Sequence, residues 1–194
     1  AEWVLGVSRN GTRIHIVPGK DEGTGALMAR CDWNQEFASR VAFLASTHPT
    51  HGFTTDRFEF LGRNGDTARP AALSRWGLSG TVEAGKDPCA ALQVHLDLKP
   101  DAQEEVWFML GQAPDRDHAV QLIEGLQNTD RLEDEWDRMR SGWEGMLTRI
   151  QVQTPEPSMD LLINRWLPYH STASRLLGRT GFYQSSGAFG FRDQ

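Results

Sequence analysis

Cysteine is nearly absent from this chain: Cys31 and Cys89 are the two in 194 residues. They are too few for a disulfide scaffold, and neither stands in a metal-ligand spacing, so both read as buried thiols. Basic charge is short as well. The 20 Lys and Arg are outnumbered by 26 Asp and Glu, and the formal net charge of -6 argues against a nucleic-acid surface, which needs a basic excess. No run approaches the apolar length that spans a bilayer, and the first residues lack a charged leader with an apolar core. This segment is expected neither to bind nucleic acid nor to insert into a membrane. His15, His48, His51, His95, His118 and His170 form no helical four-residue pair with a third ligand. They read as surface histidines, with His48 and His51 flanking Pro49 in a loop, and no metal is expected. The first half also lacks an isolated carboxylate pair in apolar surroundings of the kind acid-base chemistry uses.

What is present suffices for one or two ordinary domains, with 39% hydrophobic residues. The chain opens without Met and stops at Arg192-Asp193-Gln194 after a tight glycine loop. Both ends therefore read as cut from something longer.

Up to about residue 113 the pattern is that of strands. Residues 3–7 and 12–17 are expected to pair through a hairpin turn at Asn10-Gly11. Further strands are expected over 26–33, 39–46, 55–61, 90–98 and 104–110, separated by Gly, Pro, Asp and Asn clusters that suit a sandwich of antiparallel sheets. The alternation of Leu92, Val94, Leu96 and Leu98 with Gln93, His95 and Asp97 predicts one core face and one wet face.

From residue 113 the period changes. Asp115 is expected to cap a helix with Ala119, Leu122, Ile123 and Leu126 as its apolar stripe. A second helix over about 130–150 carries Leu132, Trp136, Met139, Trp143, Met146 and Ile150 on one face. Trp136, Met139 and Trp143 are expected to be buried, and Asp134 is expected to pair with Arg138. Thr154-Pro155-Glu156-Pro157 stops that helix and makes a stiff connector. A last helix from about Ser158 places Leu162, Trp166, Tyr169, Ala173 and Leu176 on one face.

That helix delivers a glycine-punctuated loop. Gly181, Gly187 and Gly190 free the backbone, Phe182, Tyr183, Phe189 and Phe191 offer flat apolar surface, and Gln184, Ser185, Ser186, Arg192 and Asp193 stand among them. Aromatic planes with a few fixed polar groups suit a sugar, whose faces are C–H and whose rim is hydroxyl. A loop that packs on a neighbour would use the same residues, and the loop alone leaves both readings open.

The run Asn164-Arg165-Trp166-Leu167-Pro168-Tyr169-His170, followed by Ser174-Arg175-Leu176-Leu177-Gly178-Arg179-Thr180-Gly181-Phe182-Tyr183-Gln184 and the Gly190-Phe191-Arg192-Asp193-Gln194 end, resembles the start of the catalytic domain of cyclic beta-1,2-glucan synthases. It is similar, more loosely, to cellobiose phosphorylase and other members of glycoside hydrolase family 94. Pieces at 34–43, 56–65 and 87–94 resemble the synthases in the same order. The resemblance implies an α+β chain: a partial antiparallel beta supersandwich, then linker helices, then the first helix of an (alpha/alpha)6 barrel. Its implied domains are 1–113 for the sandwich, of a carbohydrate-binding kind, 114–157 for the helical linker and 158–194 for the truncated start of the catalytic barrel.

The implied chemistry belongs to a parent protein acting on beta-1,2-glucan, by glycosyl transfer or by inverting phosphorolysis with inorganic phosphate as co-substrate and glucose 1-phosphate as product. No other cofactor is implied. The general acid of the family lies in a later Gly-Asp-Trp-Asn-Asp-Gly type of motif that these 194 residues do not contain, so the segment alone is expected to be inactive. The resemblance assigns Arg192 and Asp193 to the subsite that holds the cleaved glucose, with Tyr183 and Gln184 as weaker substrate contacts. A further family arginine corresponds to Arg175 or Arg179. Ser186 stands where disaccharide phosphorylases carry a second arginine, which suits a polymer substrate better. The implied partners are glucan or glucose 1-phosphate and the rest of the parent chain, at the cytoplasmic face of a bacterial inner membrane. A different class stays open, a non-catalytic glucan-binding or scaffolding module.

Overall fold

A computed structural model describes residues 1–6, 8–33 and 35–173. They divide into two compact units, Ala1–Leu132 and Glu133 onward.

The first unit is built on an antiparallel four-stranded sheet in the order β1 (Ile16–Lys20), β2 (Leu27–Cys31), β3 (Val41–Ser46) and β6 (Phe108–Ala113). A second sheet pairs β4 (Gly52–Asp56) with β5 (Pro88–Gln93). Period-two alternation decides what each strand buries. Val41, Phe43 and Ala45 join Met28, Met109 and Ala113 on one face, where Ala119 and Ile123 of α3 (Arg116–Gln127) close the core. Ala42 joins Leu27, Ala29 and Cys31 on the other face, against Ala90, Trp3 and the partly buried Phe53 and Leu92 of the second sheet. The central sheet is thus covered on both sides, which is why β3 reads Val-Ala-Phe-Leu-Ala-Ser without a charged residue.

The expected antiparallel sandwich is present, and several elements within it differ from expectation. Of the expected strand over 3–7, the described residues 3–6 form none: Leu5 has φ +42, and the local pairing is a single bridge from Glu2 to Cys89. Asn10-Gly11 does not turn a hairpin. The Ser8 side chain caps a short helix, α1 (Arg9–Thr12), and Thr12 Oγ1 donates to the carbonyls of Val4 and Ser8. The strand then starts at Ile16 and runs through Pro18-Gly19, tolerated because β1 is an edge strand. The expected strand 55–61 is instead the end of β4 followed by α2 (Arg57–Leu61), since the Asp56 carboxylate accepts from Phe58 N at 2.9 Å and starts a helix.

The 90–98 strand stops at Gln93, whose partner Gly52 is the first residue of β4. Beyond it the alternation has no ladder to join, and Leu96 and Leu98 are exposed, Leu98 at 58%. The last strand is shifted from 104–110 to Phe108–Ala113, the stretch that lies in register with β3 from Ser46 to Val41.

Asp115 does cap α3, accepting from His118 N at 2.8 Å. Of its stripe, Ala119 and Ile123 are fully buried and Leu126 partly, whereas Leu122 faces solvent. At the other end Gln127 Nε2 donates to the carbonyls of Thr24 and Ser46, at 2.9 and 3.0 Å, and so fastens α3 to the sheet ends. The N-terminal segment is tied down by an ion cluster in which Arg9 and Arg57 face Glu2 and Asp87.

α4 (Thr129–Leu147) carries Leu132 and Leu147 buried, but Trp136 and Met139 are 50% and 42% exposed, against the expected burial. Trp143 is partly buried and lies 5.0 Å from the Tyr169 ring. Arg138 pairs with Glu135 at 2.6 Å and not with Asp134. Ile150 lies beyond the helix and is exposed. After it come α5 (Pro157–Leu161), a π-helical turn over Leu162–Trp166 and α6 (Leu167–Ser171). Pro157 does not only end the preceding segment; it occupies the first turn of α5 behind the Glu156 cap, a place where its missing N–H costs nothing.

Candidate functional site

Tyr183, Gln184, Arg192 and Asp193 lie outside the described residues, as do Arg175, Leu176 and Arg179. What is described is the helical run that leads toward them. Asn164 pins that run to the preceding connector by bonding Val152 twice, its Oδ1 accepting from Val152 N at 2.8 Å and its Nδ2 donating to Val152 O at 2.9 Å. Arg165 forks onto both carboxylate oxygens of Glu144, at 2.5 and 2.7 Å. The paired hydrogen bonds hold the Glu144 carboxyl below and the Arg165 guanidinium above their ordinary ranges, on side chains about half exposed.

Trp166 lies 4.5 Å from His170 and Tyr169 lies 5.0 Å from Trp143, so the Asn164-to-His170 run forms an aromatic row along the helix. Leu162, Trp166 and Tyr169 share a face, as the spacing requires, but that face is exposed and lines an open groove of about 460 Å³ with Leu147 and Leu161.

The first unit brings together three residues that lie far apart in sequence. His51, one residue before β4, and His95, two residues after β5, stack with ring centroids 3.4 Å apart and planes at 16°. Trp76 stands nearly perpendicular to both, 5.9 Å from His51 and 4.7 Å from His95. The loop that carries Trp76 is firmly held. Gln93 Nε2 donates to Trp76 O at 2.9 Å, Gly80 N donates to Phe53 O at 2.9 Å, and Glu59 accepts from Ser79 N at 2.8 Å and Ser79 Oγ at 2.6 Å. Burial acts to raise the Glu59 pKa, but the bonds from Ser79 and Thr54 and the nearby Arg75 outweigh it and hold the carboxyl below its usual range.

Gly52 leaves the room this arrangement needs, because a Cβ there would lie 2.8 Å from Gln93 Oε1 and 3.0 Å from Leu78 N. In the sequence these histidines read as scattered surface residues. The pairing of β4 with β5 unites them, and no local motif signals it.

Among the described residues no group of three or more His, Cys, Asp or Glu side chains is placed to hold a metal ion. Cys31 and Cys89 are free and buried, as expected, and burial pushes the Cys89 thiol up to about 12. No described helix is long and apolar enough to cross a membrane.

The glycosyl hydrolase 94 supersandwich domain matches residues 1–129, and the glycosyl hydrolase 94 superfamily catalytic domain matches residues 142–194. The chain belongs to glycoside hydrolase family 94. Relatives agree with the family 94 assignment. The cyclic beta-(1,2)-glucan synthase NdvB of Rhizobium meliloti (strain 1021) is 35% identical over 195 residues, covering 100% of this chain and 7% of that protein. Solabiose phosphorylase of Paenibacillus borealis is 30% identical over 163 residues, covering 84% of this chain and 20% of its own length. An N,N'-diacetylchitobiose phosphorylase of Vibrio proteolyticus is 23% identical over 154 residues, covering 78% and 19%. The chain spans a fifth or less of each of these proteins. As a family 94 chain it joins the sandwich, with its histidine and tryptophan cluster, to the opening helices of the catalytic domain.

Proposed function

We propose that this chain is part of an enzyme that breaks or makes beta-glucosidic bonds in a beta-1,2-glucan, with inorganic phosphate as co-substrate. The observation that carries this reading is the order of the two family 94 matches, supersandwich and then catalytic domain, together with 35% identity along the whole chain to a cyclic beta-(1,2)-glucan synthase.

In phosphorolysis by inversion, a carboxylic acid gives its proton to the leaving glycosidic oxygen as the bond to C1 breaks. A phosphate oxygen forms the new bond to C1 from the opposite face, giving alpha-glucose 1-phosphate and a glucan one unit shorter. Phosphate is already an anion, so the site needs cationic and hydrogen-bonding groups more than a strong base. Arg192 offers a planar fork of donors and Asp193 two acceptor oxygens, and we assign both to the glucose that is cleaved, with Tyr183 and Gln184 beside them. The domains proposed with this reading are a sandwich over 1–113, a helical linker over 114–157 and the start of a barrel of paired helices from 158. As part of a larger membrane protein, the parent would act at the cytoplasmic face of a bacterial inner membrane.

The test is release of glucose 1-phosphate from linear beta-1,2-glucan and phosphate. The complete parent is expected to release it. The 194-residue chain is expected to release none, since these residues contain no Gly-Asp-Trp-Asn-Asp-Gly motif, and loss of the proton donor alone costs about 10²- to 10⁴-fold. Turnover by the chain alone would overturn the assignment of the acid, and an inactive parent would overturn the reading of the reaction.

A further inference from the structure

We propose that Trp76, His51 and His95 form a sugar-binding platform on the sandwich that holds glucose units of a glucan chain away from the bond being broken. The proposal rests on the reading of the parent as glucan-active and goes beyond it by naming a surface.

Trp76 is 81% exposed, yet its loop is fixed at Trp76 itself by Gln93 and just after it by Glu59 and the Gly80–Phe53 bond. An indole that merely dangled from a mobile loop would need no such fastening. A ring held in place before its partner arrives loses little entropy on binding. The two imidazoles stack face to face, and the indole rises beside that stack as a wall along its edge, its plane at 68° to His95 and 82° to His51. A pyranose fits such a corner: its C–H face lies on an aromatic plane while its hydroxyls reach ring nitrogens, which donate or accept according to tautomer.

The same geometry disfavours a metal. Imidazole lone pairs lie in the ring plane, and two rings stacked 3.4 Å apart at 16° send theirs side by side instead of converging on one ion. The two polar imidazoles also fit a hydroxyl-rich ligand better than a dry protein interface, whose centre is poor in such groups.

The test uses the complete parent with Trp76→Ala and Trp76→Phe. Michaelis constants are measured for a long linear beta-1,2-glucan and for its shortest accepted oligosaccharide. Loss of one stacking plane is expected to raise the ratio of the two constants by about tenfold in W76A, with W76F restoring most of it. An unchanged ratio would overturn the platform. A change in oligomeric mass on light scattering would do so too, by showing that protein covers the cluster. Should the wild-type parent prove inactive, the reading of the reaction fails separately, and calorimetric titration with the same long glucan decides the platform. Tighter binding by wild type than by W76A supports it. Equal binding, or none by wild type, overturns it.

Discussion

Asp21 Oδ1 and the Arg116 guanidinium lie 2.5 Å apart, joining the turn between β1 and β2 to the first turn of α3. The pair is lopsided: the Asp21 side chain is 8% exposed and that of Arg116 61%.

Asp21 also accepts from Thr24 N at 2.9 Å and Thr24 Oγ1 at 2.8 Å, so its removal strands buried donors. Asp21→Ala is expected to cost ~2–3 kcal/mol of unfolding free energy in urea titrations, and Arg116→Ala under ~1 kcal/mol because its charge is mostly solvated. Burial acts to raise the Asp21 pKa, and the Thr24 bonds and Arg116 outweigh it, leaving the folded value below the unfolded one. The contribution is therefore present above the unfolded carboxyl's ~3.9 and is lost as pH falls through the folded value. D21A should lose stability less steeply than wild type on acidification below pH ~4. Parallel acid limbs for the two proteins would contradict the assignment.

Gly111 lies opposite Phe43 in the β3–β6 ladder, and a Cβ at that position would lie 2.4 Å from the tip of the Phe43 ring. Gly111→Ala is expected to destabilise by ~1–3 kcal/mol, because Phe43 belongs to the core under α3 and cannot swing away freely. The double variant Gly111→Ala with Phe43→Leu should recover part of what each single change loses. Strict additivity would mean that the two side chains do not compete for the same space.

Cys89 lies at the foot of a pocket of about 340 Å³ bounded by Phe60, Leu61 and Leu92, and burial keeps its thiol protonated. At pH 8 iodoacetamide is expected to leave Cys89 unmodified while the same chain in denaturant is alkylated completely, as read by peptide mass spectrometry. Equal rates in the two states would place the thiol in solvent.

Asp193→Asn in the complete parent is expected to lower glucose 1-phosphate release by about 10²-fold or more, as removal of a group that positions the reacting sugar does, without changing the thermal unfolding midpoint. An unaffected rate would remove Arg192 and Asp193 from the subsite and leave the family assignment standing.

The fold was legible where periodicity met a partner. β3 shows its two buried faces in its composition, and Asp115 announces α3 by its cap. Where a partner strand ends early, the same periodicity misleads: Leu96 and Leu98 keep the alternation of β5 but lie past the first residue of β4. Short-range capping also outcompeted pattern, for Ser8 puts a helix where a hairpin turn was expected and Asp56 puts one where a strand was expected. The family could be read from the stretch between Asn164 and Gln194. The corner made by His51, Trp76 and His95 could not, because 25 and 19 residues separate its members: strand pairing unites the two histidines, and a side-chain bond from Gln93 to Trp76 O brings in the indole.

The π-helical turn at Leu162–Trp166 is the footprint of one surplus residue absorbed inside a helix. Each residue advances an α-helix by about 100°, so Tyr169 and His170 point roughly that far around the axis from where an uninterrupted helix would aim them. Loop-length changes move an element along the chain, whereas this bulge works as a rotation dial. Deleting one residue within the turn would make the helix more regular and swing Tyr169 off Trp143, while substitutions that keep the length would preserve the aim. The count of residues in this turn, more than their identity, sets which side the following helix presents.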